Sequence, residues 1–409
     1  MLIEPGNNLP RVKVTNQTAI RKMIYNYGPI MRSKIAARLS LTLPTITTNI
    51  NCMINSGIVC EVENTDSSSK NIGRKANPVD IVDDSKYFIG LEIRREFRRF
   101  CITNYRGKII YSVADDTIIP DYDENMKKTC EIISQLLSLN TVSSDKIAGI
   151  GVCIPGIVDT VEGKLNIHYQ YKWFDKNIRN DITRLTNFKG SITVDNNACA
   201  RAYSVQLFQR KLLYNVSSFA YLFISRGISC PLIINHANFV STPLGPGELG
   251  YMIMDSTKPR DEYSHTGSLS SLAGERVIIS KSIEAMNNGS APFLKSLCGE
   301  SPQLTMSQIL KAHEAGEQSI TDIISSAITF LGIAIANIDN WVHPDTVLVD
   351  ARLFTTNKNR KLFLDTVYKN SVRPASYAPN FIFIERNEYT GAKGGAALAV
   401  QTALEAYIE

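Results

Sequence analysis

The stretch RSKIAARLSLTLPTITTNINCMINSG, residues 32–57, sets the architecture of the N-terminal region. Its apolar residues recur at helical spacing in two runs, which predicts a short helix over 32–39 and a longer one over 43–56. Ser40-Leu41-Thr42 forms the turn between them, and Thr42 is a good N-cap for the second helix. Two helices joined by a short turn, the second opening with small hydroxylated residues, are typical of a helix-turn-helix.

One more helix and one hairpin complete this region. Apolar residues at helical spacing predict a helix that begins at Thr15 and that Gly28-Pro29 ends. Residues 58–62 predict a short strand, after which a polar stretch leads to Gly73-Arg74-Lys75. We interpret this as a wing, a hairpin whose tip places Arg74 and Lys75 on a DNA backbone or in a minor groove. The two cations could instead be ordinary linker charges.

The net charge of the chain lies entirely in this region. Residues 1–80 contain ten Lys and Arg against five Asp and Glu, and residues 81–409 contain the remaining 34 of each sign. A small basic module on a neutral body is typical of nucleic-acid binding through phosphate attraction. The alternative is a solvated basic surface without a partner.

The long helix carries most of the predicted DNA contacts on its polar face. Its short hydroxyl and amide side chains can reach base edges in a major groove. The alternative interpretation is an ordinary three-helix cap with a polar outer face. The predicted DNA-binding residues are Arg32, Thr42, Thr45, Thr47, Thr48, Asn49, Asn51, Arg74 and Lys75.

Length and composition indicate a globular protein of two or three domains. The chain has 409 residues, of which 44% are hydrophobic, and no continuous apolar run approaches the ~20 residues of a bilayer span. The N-terminus lacks the apolar segment of a secretory signal. Eight scattered cysteines without a CxxC pair favour free thiols in a reducing cytoplasm over a zinc knuckle or disulfides. We therefore expect a cytoplasmic protein with no membrane association.

From residue 86 onward, strands and helices alternate, which predicts an α/β body of two lobes. A buried apolar strand over 148–154 ends in Pro155-Gly156, and long helices are predicted at 269–284 and 318–342. The predicted organisation is as follows: a winged helix-turn-helix at 1–62, a wing and linker at 63–85, lobe 1 at 86–200, lobe 2 at 201–390, and a C-terminal helix at 391–409 that returns to lobe 1.

The order of motifs in the body resembles the ROK family of repressors and sugar kinases. The resemblance covers nearly the whole chain, and Ser40 departs from the glycine common in such repressors. The matching segments are the winged helix with Arg32, Ala36, Thr45 and Gly73-Arg74, then Gly149-x-Gly151-x-x-x-Pro155-Gly156-Ile157-Val158-Asp159, Val194-Asp195-Asn196-Asn197-Ala198, Gly247-Glu248-Leu249-Gly250-Tyr251 and Gly394-Gly395-Ala396-Ala397. The resemblance implies an actin-like (RNase H-like) sugar-kinase body with a sugar cleft between its lobes.

The kinase chemistry of that family is altered at each position where the resemblance places it. The phosphate turn Asp-x-Gly-Gly-Thr corresponds to Glu92-Ile93-Arg94-Arg95-Glu96, and the second glycine turn corresponds to 225–229. The adenosine-side Gly-Gly is Asp350-Ala351, and the catalytic Asp falls at Asn197, whose amide cannot accept a proton near neutral pH. The family's zinc ligands correspond to Tyr251, Asp261, Tyr263 and Ser268. We therefore expect no metal, no cofactor and no enzyme activity.

Part of the sugar cleft is retained. The residues at positions that contact sugar in relatives, together with Tyr251, are predicted to bind an effector: Gly156, Asn196, Asn197, Glu248 and Tyr251. They could instead remain only as turn formers and cleft filler.

Three functions remain open from the sequence. The first is a regulator, predicted to be a repressor of carbohydrate-related genes, that binds a double-stranded operator as a homodimer or tetramer and senses a sugar or sugar phosphate. The second is a divergent ATP-dependent sugar kinase with Asp195 as base. The third is a regulator whose body serves only for oligomerisation.

Overall fold

The structure is a computed structural model that describes residues 9–63, 77–168, 171–235, 237–238, 247–257, 267–299 and 304–407. By packing, the chain divides into two compact units. The first contains residues 1–213 and 388–409, and the second contains residues 214–387.

The first unit begins with a winged helix, which we call the head. Its elements are α1 (Leu9–Tyr27), α2 (Arg32–Leu39), α3 (Leu43–Asn55), β1 (Val59–Glu61) and β2 (Val79–Ile81). The strands pair antiparallel, and Ile30 forms an additional bridge to Val79. Helix α1 begins at Leu9, six residues before the predicted start at Thr15. Fully buried aliphatic residues from all three helices form the core of the head: Ile20, Ile24, Ile35, Ile46, Ile50 and Met53.

The turn of the helix-turn-helix has the predicted position and cap. Ser40 adopts the left-handed conformation, with φ 53° and ψ 37°, and its N–H donates to the carbonyl of Ala36. A residue with a side chain pays a steric cost there that glycine avoids. Thr42 is extended, and its hydroxyl accepts from the N–H of Thr45 at 3.4 Å. The serine thus forms the turn that related repressors commonly make with glycine.

The remainder of the first unit is a five-stranded sheet flanked by helices. Its elements are β3 (Tyr87–Ile93), β4 (Arg98–Asn104), β5 (Ile109–Asp115), α4 (Tyr122–Leu137), β6 (Ile147–Ile154), β7 (Ile157–Asp159), β8 (Lys164–His168), β9 (Trp173–Lys176), α5 (Ile178–Thr186), β10 (Ser191–Asn196) and α6 (Asn197–Phe208). The sheet order is β10-β6-β3-β4-β5, and a separate three-stranded sheet contains β7, β8 and β9. Strand β6 ends at Ile154, where the sequence predicted it, whereas β7–β9 and α5 were not predicted.

The second unit is a mixed sheet with helices. Its described elements are β11 (Ser218–Ile224), β12 (Ile228–Ser229), β13 (Leu232–Ile234), β14 (Ala237–Asn238), α7 (Leu269–Ala273), α8 (Glu275–Asn287), α9 (Pro292–Cys298), α10 (Met306–Glu314), α11 (Gln318–Trp341), β15 (Thr346–Asp350), α12 (Asn357–Asn370) and β16 (Asn380–Phe383). The described strands have the order β14-β13-β11-β15-β16, with β12 paired to β11.

One prediction about this unit needs correction. The helix predicted over 269–284 is two helices, because Gly274 is extended (φ −69°, ψ 151°) between α7 and α8. Helix α11 has 24 residues and is, by length and composition only, apolar enough to cross a membrane. Its residues Ile324, Ile328 and Leu331 are fully buried in the core of the second unit.

The last helix, α13 (Thr390–Glu405), returns to the first unit as predicted. It packs on β3, β6 and α6. A Cβ atom at Gly151 would overlap the carbonyl oxygen of Gly395, so both glycines are required for the helix to approach the sheet. The lobe boundary predicted at 200/201 lies inside α6, which packing on α13 assigns to the first unit.

Candidate nucleic-acid interface and ligand site

Helix α3 exposes part of its predicted polar face. Thr42, Thr48 and Asn51 are exposed, and Thr45 and Thr47 are half-buried. The helix contains no charged residue. These side chains are therefore available to a partner that approaches the outer face of the head, as a DNA major groove would.

Asn49 does not belong to that exposed face, contrary to the prediction. Only 7% of it is exposed, and its Nδ2 donates to the carbonyl of Thr45 at 2.8 Å. It follows Ile46 by three residues and precedes Met53 by four, so it falls within the buried stripe of the helix. That spacing was readable in the sequence, but the amide polarity suggested an exposed position instead.

Arg32 connects α2 to the hairpin. Its Nη2 lies 2.7 Å from Glu61 Oε1, its Nη1 donates to the carbonyl of Asn77 at 3.5 Å, and its side chain is 14% exposed. Its charge is thus engaged by β1, which gives it a structural role at the base of the wing. Strands β1 and β2 pair antiparallel, as the predicted hairpin requires, whereas Arg74 and Lys75, which we predict at its tip, lie outside the described residues.

The head is attached to the rest of the first unit through buried cations. Arg21, only 1% exposed, donates from Nη1 to the carbonyl of Ala403 at 2.7 Å and from Nη2 to that of Ala406 at the C-terminal end of α13. Arg106 binds Asp80 and the carbonyl of Tyr25. These charge-assisted hydrogen bonds hold α1 and the hairpin base against the lobe.

In the first unit, the structure brings two of the predicted effector residues together. Asn196 Nδ2 donates to the carbonyl of Gly156 at 2.7 Å, and Asn196 Oδ1 accepts from the N–H of Ala198 at 2.8 Å as the N-cap of α6. Gly156 has φ +118°, a conformation that favours glycine. Asn197 begins α6 and is 6% exposed. Asn196 thus has a structural role that accounts for its presence without a ligand.

Asp195, the base in the kinase hypothesis, is buried next to these residues. Its Oδ1 accepts from the N–H of Asn196 at 2.6 Å. Burial, only partly offset by this hydrogen bond, raises the pKa of Asp195 to about 7. A carboxyl group with such a pKa is a feature of many functional sites, although structural positions show it too.

The stretch that corresponds to the phosphate turn is filled by an ion cluster. Glu92 is 1% exposed, and its carboxylate lies 2.9 Å from Arg94 Nε and 3.1 Å from Arg201 Nη2. A Cβ at Gly391 would overlap Glu92 Oε2, so the carboxylate also lies against the first turn of α13. The arginines outweigh the effect of burial and lower the pKa of Glu92 to about 2. Sequence reasoning missed Arg201, which is 109 residues away and has no local signal.

The second unit contains the other predicted effector residues and two described positions, Tyr251 and Ser268, that the resemblance matches to zinc ligands. The N–H of Tyr251 donates to the carbonyl of Glu248 at 3.1 Å, and burial raises the pKa of Glu248 to about 7. Tyr251 is 39% exposed. Ser268 is fully buried and caps α7 by accepting from the N–H of Ser271 at 3.3 Å. Asp261 and Tyr263 lie outside the described residues, which contain no group of three potential metal ligands.

The position of the adenosine-side glycines is also occupied by an ion pair. Asp350 is fully buried, accepts from Tyr221 Oη at 2.7 Å and is paired with Arg386 Nε. Arg386 Nη2 also donates to the carbonyl of Ile224 at 2.6 Å. Asp350 and Arg386 thus compensate each other's charge at the position where the resemblance places the adenosine-side glycines.

A winged helix joined to a lobe of sugar-kinase type, with ion pairs at the nucleotide positions, defines a class of DNA-binding proteins related to sugar kinases. The ROK family profile matches residues 88–402, and the chain belongs to this family. It is 24% identical over 342 residues to the xylose repressor of Bacillus subtilis, covering 83% of this chain and 82% of that protein.

Two solved structures show the fold. A ROK family transcriptional regulator, described as a homolog of the E. coli MLC protein, superposes with a TM-score of 0.78 at 19% identity, covering 96% of this chain and 97% of that one. A ROK family glucokinase from Streptomyces griseus, in complex with glucose and AMPPNP, superposes with a TM-score of 0.63 at 15% identity, covering 76% and 98%. The superposition with the regulator therefore covers a larger share of this chain than the superposition with the kinase does.

Proposed function

We propose that this chain is a cytoplasmic transcription regulator, a repressor of carbohydrate-related genes, that binds an operator as a homodimer or tetramer. The observation that carries the proposal is a winged helix with a partly exposed α3 face, held on the lobe by Arg21 and Arg106. Its similarity to a xylose repressor over most of both chains supports the same conclusion.

Two copies are needed because one recognition helix reads only a half-site. Two-fold symmetry places two such helices about 34 Å apart on successive turns of the duplex. The effector we propose is a sugar or sugar phosphate that contacts Gly156, Asn196, Asn197, Glu248 and Tyr251. Such a ligand changes DNA binding only if its affinity for the two states of the protein differs.

A gel-shift titration on the DNA upstream of the chain's own gene tests DNA binding. We expect a retarded complex at 50 mM salt that survives excess unrelated duplex and weakens steeply with salt, because phosphate contacts release counterions. Absence of any complex at low salt would reject the proposal. Thermal-shift measurements with pentoses, hexoses and amino sugars then identify an effector, since a ligand of the native state raises the melting temperature.

One observation favours a second candidate, an ATP-dependent sugar kinase. Asp195 is a buried carboxyl group whose pKa of about 7 would suit a general base. A coupled ADP-release assay over the same sugars separates the two functions. Turnover that Asp195→Asn abolishes supports the kinase; no turnover, with DNA binding retained, supports the regulator.

A further inference from the structure

The N-terminal end of helix α3 exposes an apolar surface formed by Leu43 and Pro44. Leu43 is 50% exposed and Pro44 is also exposed, whereas Ile46, Ile50 and Met53 of the same helix are fully buried. Leu43 therefore lies outside the stripe that packs α3 into the head. Core packing does not explain a leucine at this position.

Polar groups near Leu43 are largely committed to the helix itself. Thr42 Oγ1 accepts from the N–H of Thr45 and lies 2.8 Å from Thr45 Oγ1. Asn49 donates to the carbonyl of Thr45 from its buried position. A binding partner at this end of the helix therefore meets mainly methyl and methylene groups, and fewer hydrogen-bond donors that are not already engaged.

The side chains that α3 lacks also restrict what it can read. Guanine is most often recognised by Arg or Lys and cytosine by Asp or Glu, and α3 contains none of these. Thymine instead presents its 5-methyl group in the major groove, where apolar side chains contact it. Exposed Asn51 has the amide that pairs with adenine N6 and N7. The side chains of α3 are therefore suited to the recognition of A·T pairs.

We propose that Leu43, with Pro44 beside it, is a specificity-determining residue that packs on thymine 5-methyl groups in each half-site. The inference rests on the proposed function, because it requires α3 to enter the major groove with its N-terminal residues at the base edges. The ligand class is double-stranded DNA with thymines at the positions facing this end of the helix.

Replacement of thymine by deoxyuridine tests the contact directly. Deoxyuridine keeps the base pair and the O4 acceptor and removes only the methyl group. Duplexes are first selected from a random library with the full chain at low salt, and thymines are then replaced one at a time. Burial of one methyl corresponds to about a fourfold change in Kd. We expect that loss at one or two positions in each half-site.

The protein variants assign the contact to Leu43. Leu43→Ala is expected to bind thymine and deoxyuridine duplexes equally, and Leu43→Met to keep most of the preference. Leu185→Ala removes a leucine of similar exposure, 41%, on α5 and should bind like the native chain. Melting curves of each variant verify folding, and Leu43→Met provides the test if Leu43→Ala fails to fold.

The failures of the two proposals are distinguishable. If no duplex is selected at low salt, DNA binding itself is rejected. If duplexes bind but no thymine is sensitive to deoxyuridine, or if Leu43→Ala retains the full preference, the assignment of Leu43 is overturned while the proposed function stands.

Discussion

Arg201 Nη2 lies 3.1 Å from Glu92 Oε2 inside the first unit, and Arg94 Nε holds the other carboxylate oxygen at 2.9 Å. One carboxylate thus pairs with two guanidinium groups, of which Arg201 is buried and Arg94 is half-buried, at the place where the family resemblance puts a phosphate turn. The charges of the three groups do not cancel, because two cations face one anion.

Removal of the carboxylate from this cluster should destabilise the protein strongly. Glu92→Ala removes the buried carboxylate that both guanidinium groups contact, which costs about 3–5 kcal/mol of unfolding free energy. Urea unfolding measures the loss. Asp365→Ala removes an exposed partner of Lys361 and should cost about 0.5 kcal/mol or less. Equal effects of the two substitutions would contradict the assignment of a buried, mutually stabilising cluster.

Asp195 should make stability fall as pH rises through the weakly acidic range. Its folded-state pKa of about 7 exceeds an unfolded value of about 3.9, so the native state binds more protons between them. The penalty is absent below about pH 4 and reaches at most about 4 kcal/mol above pH 7. Asp195→Asn should therefore be more stable than the native chain at pH 8 and equal to it at pH 4.

Unfolding curves at several pH values provide this comparison. Asp175→Asn, which alters an exposed carboxylate paired with Lys164, should shift stability little at any pH. Glu92 acts in the opposite direction, since its depressed pKa gives a contribution present above about pH 4 and lost as pH falls towards 2. A pH-independent effect of Asp195→Asn would show that the carboxyl is ionised in the native state.

Two adjacent cations in α1 should differ sharply in their effect on the attachment of the head. Arg21→Ala removes charge-assisted bonds to the carbonyls of Ala403 and Ala406, at a cost of about 3 kcal/mol. Lys22→Ala removes an exposed pair with Glu405 and should cost less than about 1 kcal/mol. Urea unfolding with limited proteolysis measures both. Comparable losses would indicate that the Arg21 contacts do not hold the head.

Substitutions on α3 should separate base reading from helix packing. Asn51→Ala is expected to relax sequence preference at one base pair, at about 1–3 kcal/mol, because Asn51 is exposed. Asn49→Ala should lower the melting temperature and leave the preference unchanged, because Asn49 is buried. Arg74→Ala should weaken binding to all duplexes alike, as a phosphate contact would. Gel shifts on a panel of single-base variants distinguish these outcomes; a changed preference in Asn49→Ala would restore the original assignment.

The head and the alternation of strands and helices in the body were predictable because their signals are local. Helical spacing, the Thr42 cap and the Gly28-Pro29 stop depend on residues within one or two turns. The short strands β7–β9 and helix α9 carry weak local signals and were missed. The residues of the candidate ligand site could be located by resemblance, but the sequence did not show that Asn196 is used as a cap and tether.

By itself the sequence determined the helix-turn-helix, the concentration of positive charge in the first 80 residues and the amide at position 197, since each depends only on residue type and spacing. The tertiary structure alone decided that Glu92 meets Arg201 and that Arg21 reaches α13. These contacts join residues far apart in the chain. They follow from the packing of whole elements, which no local pattern specifies.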